Sequence, residues 1–175
     1  MATERSPYGI ELGVAYPRAD ADALLAASGR ALGPWRRVDP LTRAAVAVEI
    51  LDRLNRRSFE MAHAVQHTSG QSYVMAFQAG GPHAQDRGLE AVAYAYDLVT
   101  RYAGEARWDK PQRKGEDLSM DKRFTARGKG IGLVIGCNTF PTWNSYPALF
   151  ANLVTGNTTI CLLYTSDAAD DSLRV

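Results

Sequence analysis

Residues 131–160 constrain this chain more than any other stretch. Ile131-Gly132-Leu133-Val134-Ile135-Gly136-Cys137 is a short, nearly all-apolar run, the pattern of a buried strand in a parallel sheet. NTFP follows as a turn, residues 143–155 read as a helix, Gly156-Asn157 stops it, and Thr158-Thr159-Ile160 opens a β-branched run. Two parallel strands joined by a helix form a β-α-β unit, so the fold class is α/β. In open sheets of this kind ligands lie at the carboxyl ends of the strands, which places Gly136, Cys137, Asn138 and Thr139 where a cofactor is expected. Pro147 must either kink the helix or mark a later start.

Upstream, the first two thirds reads as helix. Asp20 and Asp22 precede an apolar, alanine-rich stretch that runs toward a break at Gly33-Pro34. Asp39-Pro40 restarts a helix, a capping carboxylate followed by a proline whose missing N–H does no harm at the first position. Val46, Ile50, Leu54, Met61 and Val65 recur at near-helical spacing, with Arg43, Asp52, Arg53, Arg56 and Arg57 on the remaining surface. This predicts one long amphipathic helix ending near Ser69-Gly70. A stretch over 72–79 is cut by Gly80-Gly81-Pro82, and a further helix over 83–102 presents Leu89, Val92, Ala93, Tyr96 and Val99 as its stripe. Residues 108–129, dense in charge and turn formers, read as a connecting loop with an exposed strand around 120–126.

Composition excludes several classes of function. The 175 residues carry 20 basic and 19 acidic side chains, a net charge of +1, so there is no electrostatic footprint for nucleic acid or a membrane surface. No run approaches the ~18 apolar residues of a membrane span, and the acidic, proline-bearing opening does not resemble a secretory leader. A cytoplasmic location and a small-molecule or subunit partner are expected. Cys137 and Cys161 are too few for a disulfide framework. His63 and His67 stand four apart, but no HExxH frame surrounds them, and a solvated or hydrogen-bonded face is the simpler reading, with no metal. Gly128, Gly130 and Gly132 precede or begin a strand instead of following one, so they read as close chain approach, not as a phosphate cradle. Cys137, on an apolar strand, reads as a small core residue.

The wording "EILDRLNRRSFEMAHAVQHTSGQS" and "GIGLVIGCNTFPTWNSYPALFANLVTGNTTI", with WRR and Arg43 upstream, resembles the N-terminal portion of the aldehyde dehydrogenase superfamily over about residues 19–160. Within it, the wording is most similar to the branch working in phenylacetic acid degradation. The family's usual form is a strand, PWNFP, and a helix closing on GNT. Phe140-Pro141 and Gly156-Asn157 match it without a gap. The resemblance implies a Rossmann-like cofactor domain for NAD or NADP, an aldehyde substrate, a separate domain with a cysteine nucleophile, and a small oligomerisation extension that makes a homo-oligomer. A thiolate attacks the aldehyde, hydride passes to the cofactor, and water or a thiol releases the acyl group. Ile135, Gly136, Cys137 and Asn138 are then the cofactor-side residues. The amide that helps bind the oxyanion in PWNFP falls on Thr139 here, with an asparagine one place earlier, and the expectation is that Asn138 donates while Thr139 shapes the turn. Two other readings stay open: ring-opening hydrolysis of a coenzyme A thioester, and a non-catalytic helical interaction module.

The last fifteen residues are of a different character. CLLYTSDAAD matches, over ten consecutive residues, the translation of a transposase sequencing adapter, TGT CTC TTA TAC ACA TCT GAC GCT GCC GAC. Residues 1–160 are therefore expected to be an incomplete N-terminal part of the natural protein, and 161–175 adapter read-through that is not native protein.

Overall fold

The structure, a computed structural model, describes residues 2–16, 20–102 and 104–164. It opens on an antiparallel hairpin, β1 (Ala2–Arg5) and β2 (Glu11–Tyr16), which the sequence reading did not foresee. Helix α1 (Ala21–Arg37) is capped by Asp20, whose carboxylate accepts from the backbone of Asp22 and Ala23. It does not break at Gly33-Pro34. An interior proline removes one helical bond, but the Trp35 indole donates to the Leu153 carbonyl at 2.9 Å and anchors the last turn. Tertiary attachment outweighs the local breaker.

The expected long second helix is two helices, α2 (Pro40–Asn55) and α3 (Ser58–Ser69), separated at Arg56-Arg57. The Ser58 hydroxyl takes the Asn55 carbonyl at 2.8 Å and itself accepts from Gln85 at 3.0 Å, so a side chain replaces the next helical donor. The start of α2 is as read: Asp39 accepts from the Thr42 backbone at 2.9 Å and its hydroxyl at 2.6 Å, and these bonds hold the carboxyl below its ordinary range. The buried face is not the expected stripe. Arg43, Ala44, Ala47 and Leu51 face inward, while Val46 and Ile50 stay partly exposed.

Helix α4 (Tyr73–Gly80) is followed by α5 (Pro82–Thr100), which buries Ala84, Gln85, Gly88, Val92 and Ala95, with Leu89 outside. Charged residues then build a second hairpin, β3 (Glu105–Lys110) on β4 (Leu118–Arg123), where a loop with one strand was expected. Strand β5 (Ile131–Cys137) runs parallel to β6 (Thr158–Tyr164), Ile131 opposite Thr158, with α6 (Pro141–Val154) crossing between them. The β-α-β unit is confirmed. Helix α6 begins before the expected Trp143, with Pro141 in its first turn, and carries Pro147 inside it. Strand β6 continues beyond Ile160 to Tyr164, and 165–175 lie outside the described residues.

The core lies where α2, α5 and α6 meet: Ala44, Ala47 and Leu51 against Ala84, Val92 and Ala95, closed by Tyr146, Phe150 and Val154. Small residues bring the helices together. A Cβ on Gly88 would stand 2.8 Å from Leu51 Cδ2 and 3.0 Å from Phe150 Cδ2. Such an approach leaves alanine as the inward residue and pushes Val46 and Ile50 outward.

Candidate functional site

Strand β5 has two unlike faces. Towards α6, Gly132 leaves no room for a side chain, since a Cβ would come within 2.3 Å of the Asn152 amide. Val134 and Gly136 are buried on the same side. On the other face Leu133 and Ile135 are each 61% exposed, so β5 is not buried on both sides as its sequence suggested. Among the described residues the sheet has two strands, too few to cover that face.

The turn from α6 into β6 is held from a distance. Arg43, only 3% exposed, donates through Nε to the Val154 carbonyl at 2.8 Å and through Nη1 to the Val38 carbonyl at 2.5 Å. Burial pulls its pKa below the ordinary value, with the Asp39 charge opposing, yet a guanidinium stays charged in a protein. Gly156, at φ +84°, takes the left-handed position after the helix, and Asn157 Oδ1 accepts from the Gly130 N–H at 2.9 Å. Gly128 packs so tightly on Gly156 that a Cβ would lie 2.2 Å from its carbonyl oxygen. Gly128 and Gly132 therefore serve close packing, as read from the sequence.

At the carboxyl end of β5 the residues singled out from sequence stand together. Cys137 is half-buried, not a core residue, because it is the last residue of the strand, and the Asn144 amide lies 2.8 Å from its Sγ. Asn138 is half-buried and donates through Nδ2 to the Thr68 carbonyl at 3.3 Å. Thr139 is exposed, and its backbone carbonyl accepts from the Gln71 amide. The Thr142 hydroxyl, in the first turn of α6, donates to the Gly80 carbonyl at 3.2 Å. The sequence does not point to Gln71 or Thr68, because contacts to backbone carbonyls 68 and 70 residues away carry no motif, nor to Asn144, whose partner is the Cys137 sulfur seven residues earlier. The sequence pattern puts Arg43 on the surface, but its neighbours Ala44, Ala47 and Leu51 at helical spacing signal the inward face that the structure shows. His63 and His67 act separately: His67 Nδ1 is 3.4 Å from the Ser6 hydroxyl, and His63 packs on Tyr73.

Two hollows flank this unit. The larger, about 700 Å³, lies between α1, α2 and the amino end of β6, the wrong end of a parallel strand for a ligand. The smaller, about 220 Å³, is lined by Met75, Gln78, Ala79, His83, Phe140 and Trp143, and Phe140 directly follows the loop. Among the described residues, no helix is long and apolar enough to cross a membrane.

The family model described as the aldehyde dehydrogenase family matches residues 13–163. The chain belongs to the aldehyde dehydrogenase family. It is similar to the crystal structure of an NAD-dependent aldehyde dehydrogenase from Burkholderia multivorans, with 56% identity and a TM-score of 0.89 over 93% of this chain and 29% of that one. An NAD-dependent benzaldehyde dehydrogenase from Corynebacterium glutamicum shares the fold at 17% identity, TM-score 0.71, over 93% of this chain and 34% of that one. The NADP-dependent glyceraldehyde-3-phosphate dehydrogenase from Bacillus halodurans C-125 does so at 16% identity, TM-score 0.69, over 91% and 33%. The chain thus spans about a third of the length of these proteins. No curated protein matched it.

Proposed function

We propose that this chain is the N-terminal part of an NAD(P)-dependent aldehyde dehydrogenase of the phenylacetic acid degradation type, PaaN, oxidising an aldehyde formed in aromatic-acid breakdown. The observation that carries this reading is the apolar hollow walled by Phe140 and Trp143, opening directly beside the loop at the carboxyl end of β5. An aromatic or otherwise apolar aldehyde would seat its body there, with its carbonyl toward Asn138 and Thr139. The similarity to an NAD-dependent enzyme at 56% identity supports the reaction class.

Residues 135–139 fit one wall of a dinucleotide site. Ile135 presents an exposed apolar surface, Gly136, buried toward α6, adds no side chain to that face, and the buried Gln71 Oε1, on the side chain that holds Thr139, has no partner among the described residues. None of the five carries a cation, so the diphosphate charge is to be balanced by residues elsewhere in the longer protein. When bound, the cofactor supplies hydride acceptance. This chain's own residues give the flat wall, exclude water through Phe140 and Trp143, and offer an amide and a hydroxyl as hydrogen-bond donors. The nucleophilic cysteine and the general base belong to the remaining two thirds of the protein. The exposed β3–β4 hairpin serves its subunit contacts, and residues 161–175 are adapter read-through.

Expressing the full-length gene recovered from its source tests these points. NAD(P) reduction with phenylacetaldehyde or a coenzyme A-linked semialdehyde is expected, and none with the 175-residue chain alone. Hydrolysis of a coenzyme A thioester without NAD(P) turnover would overturn the assignment. Finding CLLYTSDAAD in the native locus would overturn the read-through proposal.

A further inference from the structure

The loop after β5 is braced by side chains from the junction of α3 and α4. Gly70 ends α3 in the left-handed conformation, φ +75°, and turns the chain so that the Thr68 carbonyl and the Gln71 side chain both reach the loop. Asn138 donates to the first, and the Thr139 carbonyl accepts from the second. The junction is itself fixed by Tyr8, whose hydroxyl lies 3.1 Å from the Gly70 carbonyl and 3.0 Å from that of Gln71. The orientation of the Gln71 amide follows from chemistry: reversed, its oxygen would face the Thr139 oxygen, two acceptors with no proton between them. The Gln71 Oε1 atom is buried without a partner among the described residues, so there the Thr139 carbonyl is the only hydrogen-bond partner of this side chain.

We propose that Gln71 is a positioning residue for the cofactor and substrate loop. It holds the Thr139 carbonyl and thereby fixes the direction of the exposed Thr139 hydroxyl and the entry into α6. Asn138 completes the brace by occupying one of its two amide protons on Thr68. The proposal rests on the dehydrogenase reading for what the loop does, but not for the brace itself.

Two variants of similar size remove the donor, Gln71→Met and Gln71→Glu. In the 175-residue chain, hydrogen exchange is followed at the amide of Asn144, which donates to the Phe140 carbonyl at 3.0 Å where the loop enters α6, and, in the same molecule, at those of Val92 and Ala95 in the core. Both variants are expected to speed exchange at Asn144 about tenfold, the equivalent of one net hydrogen bond, with the core amides unchanged. Were Gln71 only filling space, Gln71→Met would exchange as the wild type does, and that result overturns the proposal. Equal acceleration at Asn144 and in the core also counts against it. In the full-length enzyme the same variants are expected to weaken NAD(P) binding, read by fluorescence titration, several-fold or more while Tm stays within a few degrees. Absence of NAD(P) binding by the wild-type enzyme would sink the dehydrogenase reading, leaving the exchange experiment to judge the brace.

Discussion

The helical seam of α2, α5 and α6 and the β3–β4 hairpin are built on opposite principles. In the seam, Phe150 and Val154 are fully buried, and Gly88 has no room for a methyl group. In the hairpin every residue of both strands is exposed, and Gly104 and Gly115 have nothing among the described residues within reach of a Cβ. Its order comes from the backbone ladder and from ion pairs such as Arg123–Glu105 at 2.6 Å and Arg107–Asp109 at 3.0 Å. The seam carries its stability inside this chain. A two-stranded ribbon without a buried face is marginal alone, so the hairpin has little stability of its own to lose.

Substitutions of decreasing effect can break or sharpen that contrast. Phe150→Ala opens a cavity at the centre of the seam and is expected to cost ~3–5 kcal/mol by urea denaturation. An effect below ~1 kcal/mol would show that the seam is not the source of stability. Arg43→Met keeps the stem but strands the Val154 and Val38 carbonyls; leaving buried acceptors unpaired is expected to cost ~2–4 kcal/mol, and the loss should be insensitive to salt. Gly88→Ala drives a methyl group onto Leu51 and Phe150, an overpacking cost of ~1–3 kcal/mol that Phe150→Leu in the same chain should partly relieve.

A fourth test uses pH. Burial raises the Tyr146 hydroxyl from 10.0 to about 12. The folded state thus favours the protonated phenol. Its contribution is complete below the unfolded value near 10 and is lost as pH rises toward about 12. Tyr146→Phe is expected to flatten that alkaline limb and leave stability at neutral pH little changed. In the hairpin, Arg123→Ala removes a pair whose side chains are 77% and 73% exposed. The expected change is ~0.5 kcal/mol or less, vanishing at high salt. A loss comparable to that of Gly88→Ala would mean that the two regions are not so different.

How much of this was legible in the sequence follows the same division. The β-α-β unit could be read because an apolar run, a turn and a helix stop each have a local chemical signature, and Asp39-Pro40 announced its helix for the same reason. The hairpin could not, since strands exposed on both faces show no apolar alternation and their charges imitate a loop. The inward face of α2 was misplaced because Val46 and Ile50 are the more hydrophobic residues, whereas the closest helix contacts select alanine. The placement of Gly136 to Thr139 was legible, since it follows from the end of one strand. Gln71 was not, because a glutamine that binds a distant carbonyl looks like any other glutamine in a turn.

The guanidinium of Arg43 has a consequence for how fast the chain folds. The last carbonyls of α6, at Leu153 and Val154, are taken by Trp35 and Arg43, 118 and 111 residues earlier. The strand–helix–strand segment closes part of this turn locally, Gly156 and Asn157 donating back to the Leu153 and Asn152 carbonyls at 3.0 and 2.9 Å, but the turn is completed only by side chains from the first two helices. Its full set of bonds thus depends on contacts of high sequence separation, and long-range contacts of this kind slow folding. Shorn of its first sixty residues, the segment would keep the sequence signature of its fold while losing the side chains that close it.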